Sequence, residues 1–300
     1  MPRPHLAALS LCCLLLPLGA SPDARAADYP AEIEAWRASR IERLTGPTGW
    51  LTLAGLHRLA AGEHTLGSAA QANIVLPASV PACLGILTVA DDSVYLRVDP
   101  AATVSVDGEA RTGLELAPNA SGDTPIVEIG SVSFFIIRRG DLLLLRVRDS
   151  EHPDRAAFAG IDSFAIDPAW RFAARFEAYD PVKQIPIANI IGLVSDNPSW
   201  GAVVFEHEGE TYRIDAVAEP GDEQLFLILG DATSGHETYG GGRYLYVDAP
   251  DADGRVDLDF NKTYNPPCAF TPYATCPLPP IQNRLDLRIE AGEKNYVGDH

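Results

Sequence analysis

The chain has 300 residues and is acidic, with 41 Asp and Glu against 23 Lys and Arg and a formal net charge of −18 at pH 7. A surface of this charge repels phosphate backbones and anionic lipid headgroups, which argues against nucleic-acid binding and peripheral membrane binding. The length is sufficient for two ordinary domains. After the N-terminal region no stretch is long and apolar enough to cross a bilayer, so the protein is not expected to be membrane-embedded.

The first 26 residues have the layout of a secretory signal peptide. Arg3 and His5 precede an apolar run over residues 6–20, which is shorter than the roughly 20 residues that a membrane-spanning helix needs. Residues 24–26 read Ala-Arg-Ala, an A-x-A cleavage pattern. We therefore expect cleavage after Ala26 and a soluble product in the periplasm or outside the cell.

Residues 30–45 predict a short helix. Ile33, Trp36, Ile41 and Leu44 share one face at helical spacing, and Pro30 suits a first helical turn. The Gly-Pro pair at residues 46–47 predicts its end. We expect this helix to pack on the first domain, and it shows no chemical motif.

The rest of the chain predicts β structure. Between residues 50 and 159, short apolar runs alternate with turn residues, and the pairs at 107–108 and 140–141 are hairpin signals. Many short, closely spaced strands are typical of a sandwich or barrel. Strand patterns return after residue 187. The predicted fold is therefore mainly β, with a signal peptide (1–26), a helix plus β-sandwich (27–160), and a second sandwich or barrel-like domain (161–300).

The order of elements in the first β region resembles a forkhead-associated sandwich. Leu66 and Gly67 stand where that family begins its ligand loop, and the turn at residues 106–108 is similar to its Asn-Gly turn. Ser68 stands in place of the expected arginine, and Asp107 in place of the asparagine. A carboxylate at that turn would repel phosphate. The resemblance implies the scaffold and not phosphothreonine recognition.

Three cysteines follow the signal peptide: Cys83, Cys268 and Cys276. An oxidising compartment permits a disulfide between Cys268 and Cys276, which would contribute about 2–3 kcal/mol by closing a small loop. The alternative is that Cys268 is a free nucleophile. Cys83 is expected to be a single small residue of the core.

Three polar stretches in the C-terminal half, at residues 231–243, 259–277 and 291–294, carry the unusual residues. Together with residues 50–56 they resemble the bacterial family named domain of unknown function 1684, and the Asn-Pro-Pro-Cys-Ala-Phe segment at 265–270 is specific for it. This resemblance covers nearly all of the chain after the signal peptide. It implies family membership and no particular reaction.

The residues of these stretches form the candidate site. Strand ends that lead into loops are common positions for catalytic groups, and an arginine after three glycines offers a planar fork for a carboxylate or phosphate. The candidate catalytic residues are Asp231, Glu237, Asp259 and Cys268. The candidate ligand-binding residues are Thr233, Tyr239, Arg243, Asn261, Tyr264 and Asn265.

Neither a metal nor a cofactor is predicted. The acidic run over residues 248–259 lacks the spacing of a calcium loop, no HExxH motif is present, and the glycine triplet lacks the dinucleotide spacing. Three functions remain open. The first is a metal-independent hydrolase acting on a small polar substrate. The second is a module that binds an envelope component or small ligand without catalysis, and the third is a structural role for the polar residues. The sequence leaves the oligomeric state open.

Overall fold

The computed structural model describes the backbone of residues 22–116 and 124–298, and the side chains from residue 28 onward within those ranges. Most of the predicted signal peptide, residues 1–21, lies outside the described residues. The chain is mainly β with a long N-terminal helix, so the predicted fold class is confirmed. No helix in the described ranges has both the length and the apolar character needed to cross a bilayer.

Helix α1 spans Pro22–Thr45 and a short helix α2 spans Pro153–Ala157. α1 begins eight residues before the predicted start, so Pro30 lies inside the helix instead of in its first turn. The alanine-rich residues that precede Pro30 are strong helix formers, which explains the extension. The helix ends directly before Gly46, as predicted.

The N-terminal sandwich consists of two sheets built from eleven strands. In the six-stranded sheet the order is β1-β11-β10-β9-β6-β7, and in the five-stranded sheet it is β3-β2-β4-β5-β8. The strands are β1 (Leu53–Leu59), β2 (Gly62–Gly67), β3 (Ile74–Val75), β4 (Gly85–Ala90), β5 (Ser93–Val98), β6 (Val104–Val106), β7 (Glu109–Arg111), β8 (Gly113–Glu115), β9 (Val127–Ile129), β10 (Val132–Arg139) and β11 (Leu142–Asp149).

Alternating side chains from both sheets fill the core of this sandwich. Leu87 and Leu96 from one sheet and Phe134, Leu145 and Val147 from the other are buried in a single apolar cluster. Because side chains alternate along a strand, the side chains of residues 146 and 148 point out of the sandwich. The outer face of β11 therefore carries two arginines.

Both predicted hairpins of this region are confirmed. β6 and β7 are joined by Asp107 and Gly108, which have φ values of 52° and 78°. Positive φ at both central residues is the requirement of a type I′ turn, which explains why the Asp-Gly pair predicts the hairpin. β10 and β11 pair antiparallel around residues 140–141, where Gly140 has a φ of 54°.

The C-terminal β unit contains six strands and several short 3-10 turns. A four-stranded sheet has the order β14-β13-β12-β17, and β15 pairs with β16. A buried cluster that includes Phe205, Leu227, Leu245 and Leu258 joins these two sheets. The strands are β12 (Arg171–Ala188), β13 (Val194–His207), β14 (Glu210–Asp215), β15 (Gln224–Leu229), β16 (Arg243–Asp248) and β17 (Arg255–Asp259).

The hydrogen bonds of helix α1 correct the expectation that it packs mainly on the first domain. Tyr29 donates to the Asp259 carboxylate, and Arg40 donates to the Glu293 carboxylate and the Asn265 carbonyl. Leu44 also packs in a buried cluster with residues from the C-terminal segment. The helix is therefore attached mainly to the C-terminal part of the chain.

Candidate ligand-binding site

A cleft of about 600 Å³ lies where α1, the N-terminal sandwich and the C-terminal β unit meet. Its volume is within the range of small-molecule sites. α1 contributes one wall, the loop after α1 and β11 contribute the second, and β15, β16 and the segment after β17 contribute the third. The lining residues are Trp36, Arg40, Arg43, Thr48, Gly49, Trp50, Arg148, Gln224, Tyr246, Lys262 and Tyr264.

The charge of this cleft is opposite to the charge of the chain. Four of its side chains, Arg40, Arg43, Arg148 and Lys262, are basic, and within the described ranges no Asp or Glu lines it. The whole chain has a formal net charge of −18. A cleft lined by charges of one sign concentrates their electric field, so the side chains that line this cleft favour anions over cations.

Two of the four cations are neutralised by carboxylates. The Arg40 Nε lies 3.2 Å from the Glu293 Oε1, with both side chains buried, and the Lys262 Nζ lies 2.6 Å from the Glu32 Oε1. These contacts attach α1 to the C-terminal segment. Arg40 and Lys262 therefore have a structural role in addition to their position in the cleft.

The other two cations have no carboxylate partner among the described residues. The Arg43 Nη1 donates to the Ser39 hydroxyl, and its exposed side chain forms no ion pair there. The Arg148 guanidinium lies 4.9 Å from the Phe135 ring centroid, and its buried Nε has no hydrogen-bond partner. Burial lowers the pKa of Arg148. A buried donor without an acceptor is costly, so Arg148 is suited to receive an acceptor from a ligand.

The four aromatic side chains of the cleft are Trp36, Trp50, Tyr246 and Tyr264. The rings of Trp36 and Tyr264 are 6.3 Å apart at 52°, and the Arg40 guanidinium lies 4.7 Å from the Tyr264 centroid. Burial is the main cause of a raised pKa at Tyr264, so this phenol stays protonated at neutral pH. The cleft thus combines flat apolar faces with hydrogen-bond donors.

The structure places the ten sequence-predicted residues in several separate positions, and only Tyr264 lines the cleft. Asp231, Thr233 and Arg243 lie together in the interior. The Arg243 side chain is fully buried, and its Nη2 lies 3.3 Å from the Asp231 Oδ1. The second Asp231 oxygen accepts hydrogen bonds from the Thr233 hydroxyl and the Ile289 amide. This pair connects loops inside the C-terminal β unit.

Glu237 lies on the surface, apart from the buried pair. Its carboxylate accepts a 2.7 Å hydrogen bond from the Arg288 Nη2. This hydrogen bond is the main cause of the lowered pKa of Glu237. The side chain is therefore ionised at neutral pH and has an ion-pair partner of its own.

Asp259 and Asn261 form a third, buried group beneath α1. The Tyr29 hydroxyl lies 2.9 and 3.0 Å from the two Asp259 carboxylate oxygens, and the Asn261 Nδ2 donates to the Tyr29 oxygen. Burial is the main cause that raises the pKa of Tyr29, and the Asp259 carboxylate adds to it. Every polar side chain of this group is thus satisfied inside the protein.

Replacing Tyr29 by phenylalanine tests this group. We expect the free energy of unfolding to fall by about 1–3 kcal/mol, because the buried Asp259 carboxylate loses its hydroxyl donor. Urea denaturation would measure the loss, with Tyr246→Phe as a control because the Tyr246 ring is half exposed. Equal stability of the Tyr29 variant and the wild type would contradict the structural role of this hydrogen bond.

The remaining candidates lie around the proline-rich loop. The Tyr239 hydroxyl donates to the Cys268 carbonyl at 3.2 Å. The Asn265 backbone N–H donates to the Glu293 carboxylate at 2.7 Å, and its side-chain Nδ2 donates to the Lys294 carbonyl. Cys83, Cys268 and Cys276 are free thiols in the structure, so the disulfide stays a prediction. Cys83 is exposed and not part of the core, which corrects that expectation.

Sequence reasoning missed most of the cleft, because its residues are far apart in the chain and α1 showed no chemical motif. One signal was present in β11. Arg146 interrupts the apolar run of residues 142–147 and Arg148 follows it, which predicts two arginines on one face of a strand. In an acidic chain, such a pair indicates a contact with a second domain or with an anion.

Residues 156–294 match the family model described as "Protein of unknown function (DUF1684)". The matched residues are here called the DUF1684 segment. The predicted resemblance is confirmed over this segment, which contains all ten candidate residues, whereas residues 50–56 lie outside the match. In the cleft, Gln224, Tyr246, Lys262 and Tyr264 belong to the DUF1684 segment, and α1, Trp50 and Arg148 precede it.

Two solved structures show similarity to the chain. The solution NMR structure of an uncharacterised protein from Haloarcula marismortui is 29% identical, with a TM-score of 0.39, and the match covers 47% of this chain and 78% of that chain. The crystal structure of the FhaA FHA domain complexed with the intracellular domain of Rv3910 is 15% identical, with a TM-score of 0.21. This match covers 31% of this chain and 97% of that chain. No curated protein matches significantly.

Proposed function

We propose that this chain is an exported protein that binds a small anion carrying a planar ring in the cleft between α1, the N-terminal sandwich and the C-terminal β unit. The observation that carries the proposal is the composition of the cleft. Four basic and four aromatic side chains line it, and no described Asp or Glu does, although the chain is strongly acidic. The signal-peptide pattern of residues 1–26 supports the exported location.

The preference for an anion rests on Arg43 and Arg148. Both guanidinium groups lack a carboxylate partner among the described residues, and the Arg148 Nε is buried without any acceptor. Arginine presents a planar set of donors that matches carboxylate and phosphate oxygens. A bound anion would supply the missing acceptor and would be attracted by all four basic groups.

The preference for a planar ring rests on the aromatic walls. The Trp36 and Tyr264 ring centroids are 6.3 Å apart, and Trp50, on the segment that follows α1, also lines the cleft. Flat rings stack well on such faces, and the Tyr264 hydroxyl, protonated at neutral pH, provides a donor that orients the ligand. Gln224 at the rim adds an amide that can both donate and accept.

Binding without catalysis has more support than hydrolysis by the predicted carboxylates. Asp231 is paired with Arg243, Asp259 is bonded to Tyr29, and Glu237 is paired with Arg288. A general acid or base must come within hydrogen-bond reach of the substrate. None of these carboxylates lines the cleft, so a ligand bound there would not reach them without rearrangement.

Ligand binding by variants would test this proposal. A panel of ring-bearing anions, including nucleoside monophosphates and aromatic carboxylates, would be screened by thermal shift, and the hits measured by calorimetry. We expect Arg148→Gln and Arg43→Gln each to weaken binding about tenfold or more, since a hydrogen bond to a charged group contributes about 1.5–3 kcal/mol. Arg97→Gln is the matched control, because Arg97 is exposed on β5 and far from the cleft lining.

Neutral analogues separate the two parts of the proposal. A nucleoside should bind more weakly than its monophosphate, and inorganic phosphate should also bind more weakly because it lacks the ring. Affinity should fall with added salt, since Arg43 is exposed and Arg148 and Lys262 are only partly buried. Failure of every ring-bearing anion to bind, or equal affinity of Arg148→Gln and the wild type, would overturn the proposal.

A further inference from the structure

We propose that Cys268 and Cys276 form a dithiol–disulfide couple, in which Cys268 is the attacking thiolate and the buried guanidinium of Arg146 is its counter-charge. This redox site lies outside the cleft lining and does not depend on the proposed ligand. Its substrate class is a disulfide that reaches the half-buried Cys268 sulfur.

The two cysteines hold each other in a reciprocal arrangement. The Cys268 amide donates to the Cys276 Sγ at 3.1 Å, and the Cys276 amide donates to the Cys268 Sγ at 3.3 Å. Each sulfur therefore lies against the backbone of the other residue across the proline-rich loop. Backbone amides that donate to sulfur favour its anionic form. Cys276 is buried, whereas Cys268 is only partly so.

Arg146 is a buried cation without a carboxylate partner among the described residues. It is 4% exposed, its guanidinium lies 5.6 Å from the Trp50 ring centroid, and its Nε and Nη2 form no hydrogen bond. Burial, followed by the charges of Arg139 and Arg148, lowers the pKa of Arg146 to about 10. Negative charge on the cysteine pair acts in the opposite direction. A thiolate at this pair would supply the anion that this cation lacks.

The pKa values of the two thiols are shifted in opposite directions. The hydrogen bond between them and the Arg146 charge lower the pKa of the Cys268 thiol, and burial only partly offsets them. The hydrogen bond with Cys268, burial and the Cys268 charge raise the pKa of Cys276. Of the two sulfurs, Cys268 is therefore the one that loses its proton more readily.

The reaction is a balanced thiol–disulfide exchange. The Cys268 thiolate attacks one sulfur of a low-molecular-weight disulfide, forms a mixed disulfide and releases one thiolate, which takes a proton from water. Cys276 then loses its proton to the hydroxide left by that step and attacks the Cys268 sulfur. This attack expels the second thiolate, which is protonated by the solvent. The cysteine pair loses two electrons and the external disulfide gains two as it becomes two thiols.

Cys83 provides a control within the same chain. Its side chain is exposed, and its Sγ lies 3.5 Å from the Asp99 Oδ2. The hydrogen bond to this carboxylate is the main cause of a raised pKa at Cys83. Accessibility alone would make Cys83 react faster than the half-buried Cys268, whereas the charges predict the reverse order.

The first experiment measures alkylation. The protein would be reduced, freed of reductant and treated with iodoacetamide between pH 5.5 and 9. Mass spectrometry would then measure the alkylation of each cysteine peptide. We expect Cys268 to react about tenfold faster than Cys83 at pH 6.5, with a midpoint below the ordinary value of about 8.5. Arg146→Gln should move the Cys268 midpoint upward, whereas Arg146→Lys and the surface control Arg97→Gln should not.

The second experiment measures exchange with glutathione disulfide. Wild type should yield a disulfide between the Cys268 and Cys276 peptides, Cys276→Ser should retain glutathione on Cys268, and Cys268→Ser should form neither product. The proposal is overturned if Cys268 reacts no faster than Cys83, if the charge-retaining and charge-removing Arg146 variants have the same pH profile, or if the linked peptides do not form.

Discussion

Replacing Arg243 by methionine is expected to lower the free energy of unfolding by about 3–5 kcal/mol, the usual cost of removing one member of a buried ion pair. The change leaves the Asp231 carboxylate buried without its counter-charge. It also removes the donor to the backbone carbonyls of Ala291, Ile289 and Glu293. These carbonyls fix the last segment of the chain, so we expect that segment to lose order first. Chemical denaturation would measure the loss.

Two further variants make the Arg243 prediction specific. Asp231→Asn combined with Arg243→Met removes both charges, so the double variant should be more stable than Arg243→Met alone. The exposed pair of Arg255 and Asp253 is the control, and Arg255→Met should change stability far less. If Arg243→Met is as stable as the wild type, the pair is not structural and the predicted ligand-binding role of Arg243 gains support.

Replacing Arg40 by methionine should produce a loss of stability that increases with pH. Burial raises the pKa of the Glu293 carboxyl, and the Arg40 charge acts against this effect. Without Arg40 the folded-state pKa of Glu293 must rise further. A carboxyl with a raised folded-state pKa holds its proton more tightly in the folded chain, so stability decreases as pH rises above the unfolded-state pKa of about 4.3.

The expected loss for Arg40→Met is therefore about 3–5 kcal/mol at pH 7.5 and smaller at pH 5. Thermal or urea unfolding at several pH values would measure it. Adding Glu293→Gln to Arg40→Met removes the titrating group, and the pH dependence of the difference from wild type should largely disappear. A loss of stability independent of pH in the single variant would show that Glu293 is not the group responsible.

The β structure could be predicted because its signals are local. Alternation of apolar residues places strands such as β5, and the Asp-Gly pair at residues 107–108 fixes a hairpin by its backbone requirement. The end of α1 could be predicted from Gly46 for a similar reason. The beginning of α1 could not, because a proline that suits a first turn was outweighed by the helix-forming residues before it.

The candidate site could not be predicted because polarity does not show whether a residue faces a ligand or another part of the chain. Asp231, Asp259 and Arg243 have the composition of a catalytic cluster, yet each is buried. Asp231 and Arg243 pair with each other, and Asp259 accepts a hydrogen bond from Tyr29, 230 residues earlier in the chain. Arg148, by contrast, lines the cleft although it was not among the predicted site residues. Nothing near it in sequence indicates that it lacks an acceptor, since that depends on which elements pack against β11.

The attachment of α1 has a consequence for the order in which the protein can assemble. The hydrogen-bond partners of Tyr29 and Arg40 lie 225 to 253 residues later in the chain. α1 is therefore synthesised well before the residues that give it these native contacts. Domains usually fold from the N-terminus during synthesis, but this helix must wait until residue 293 has left the ribosome. Until then its apolar face, which includes Ile33 and Leu44, needs shielding by a chaperone or by transient contacts.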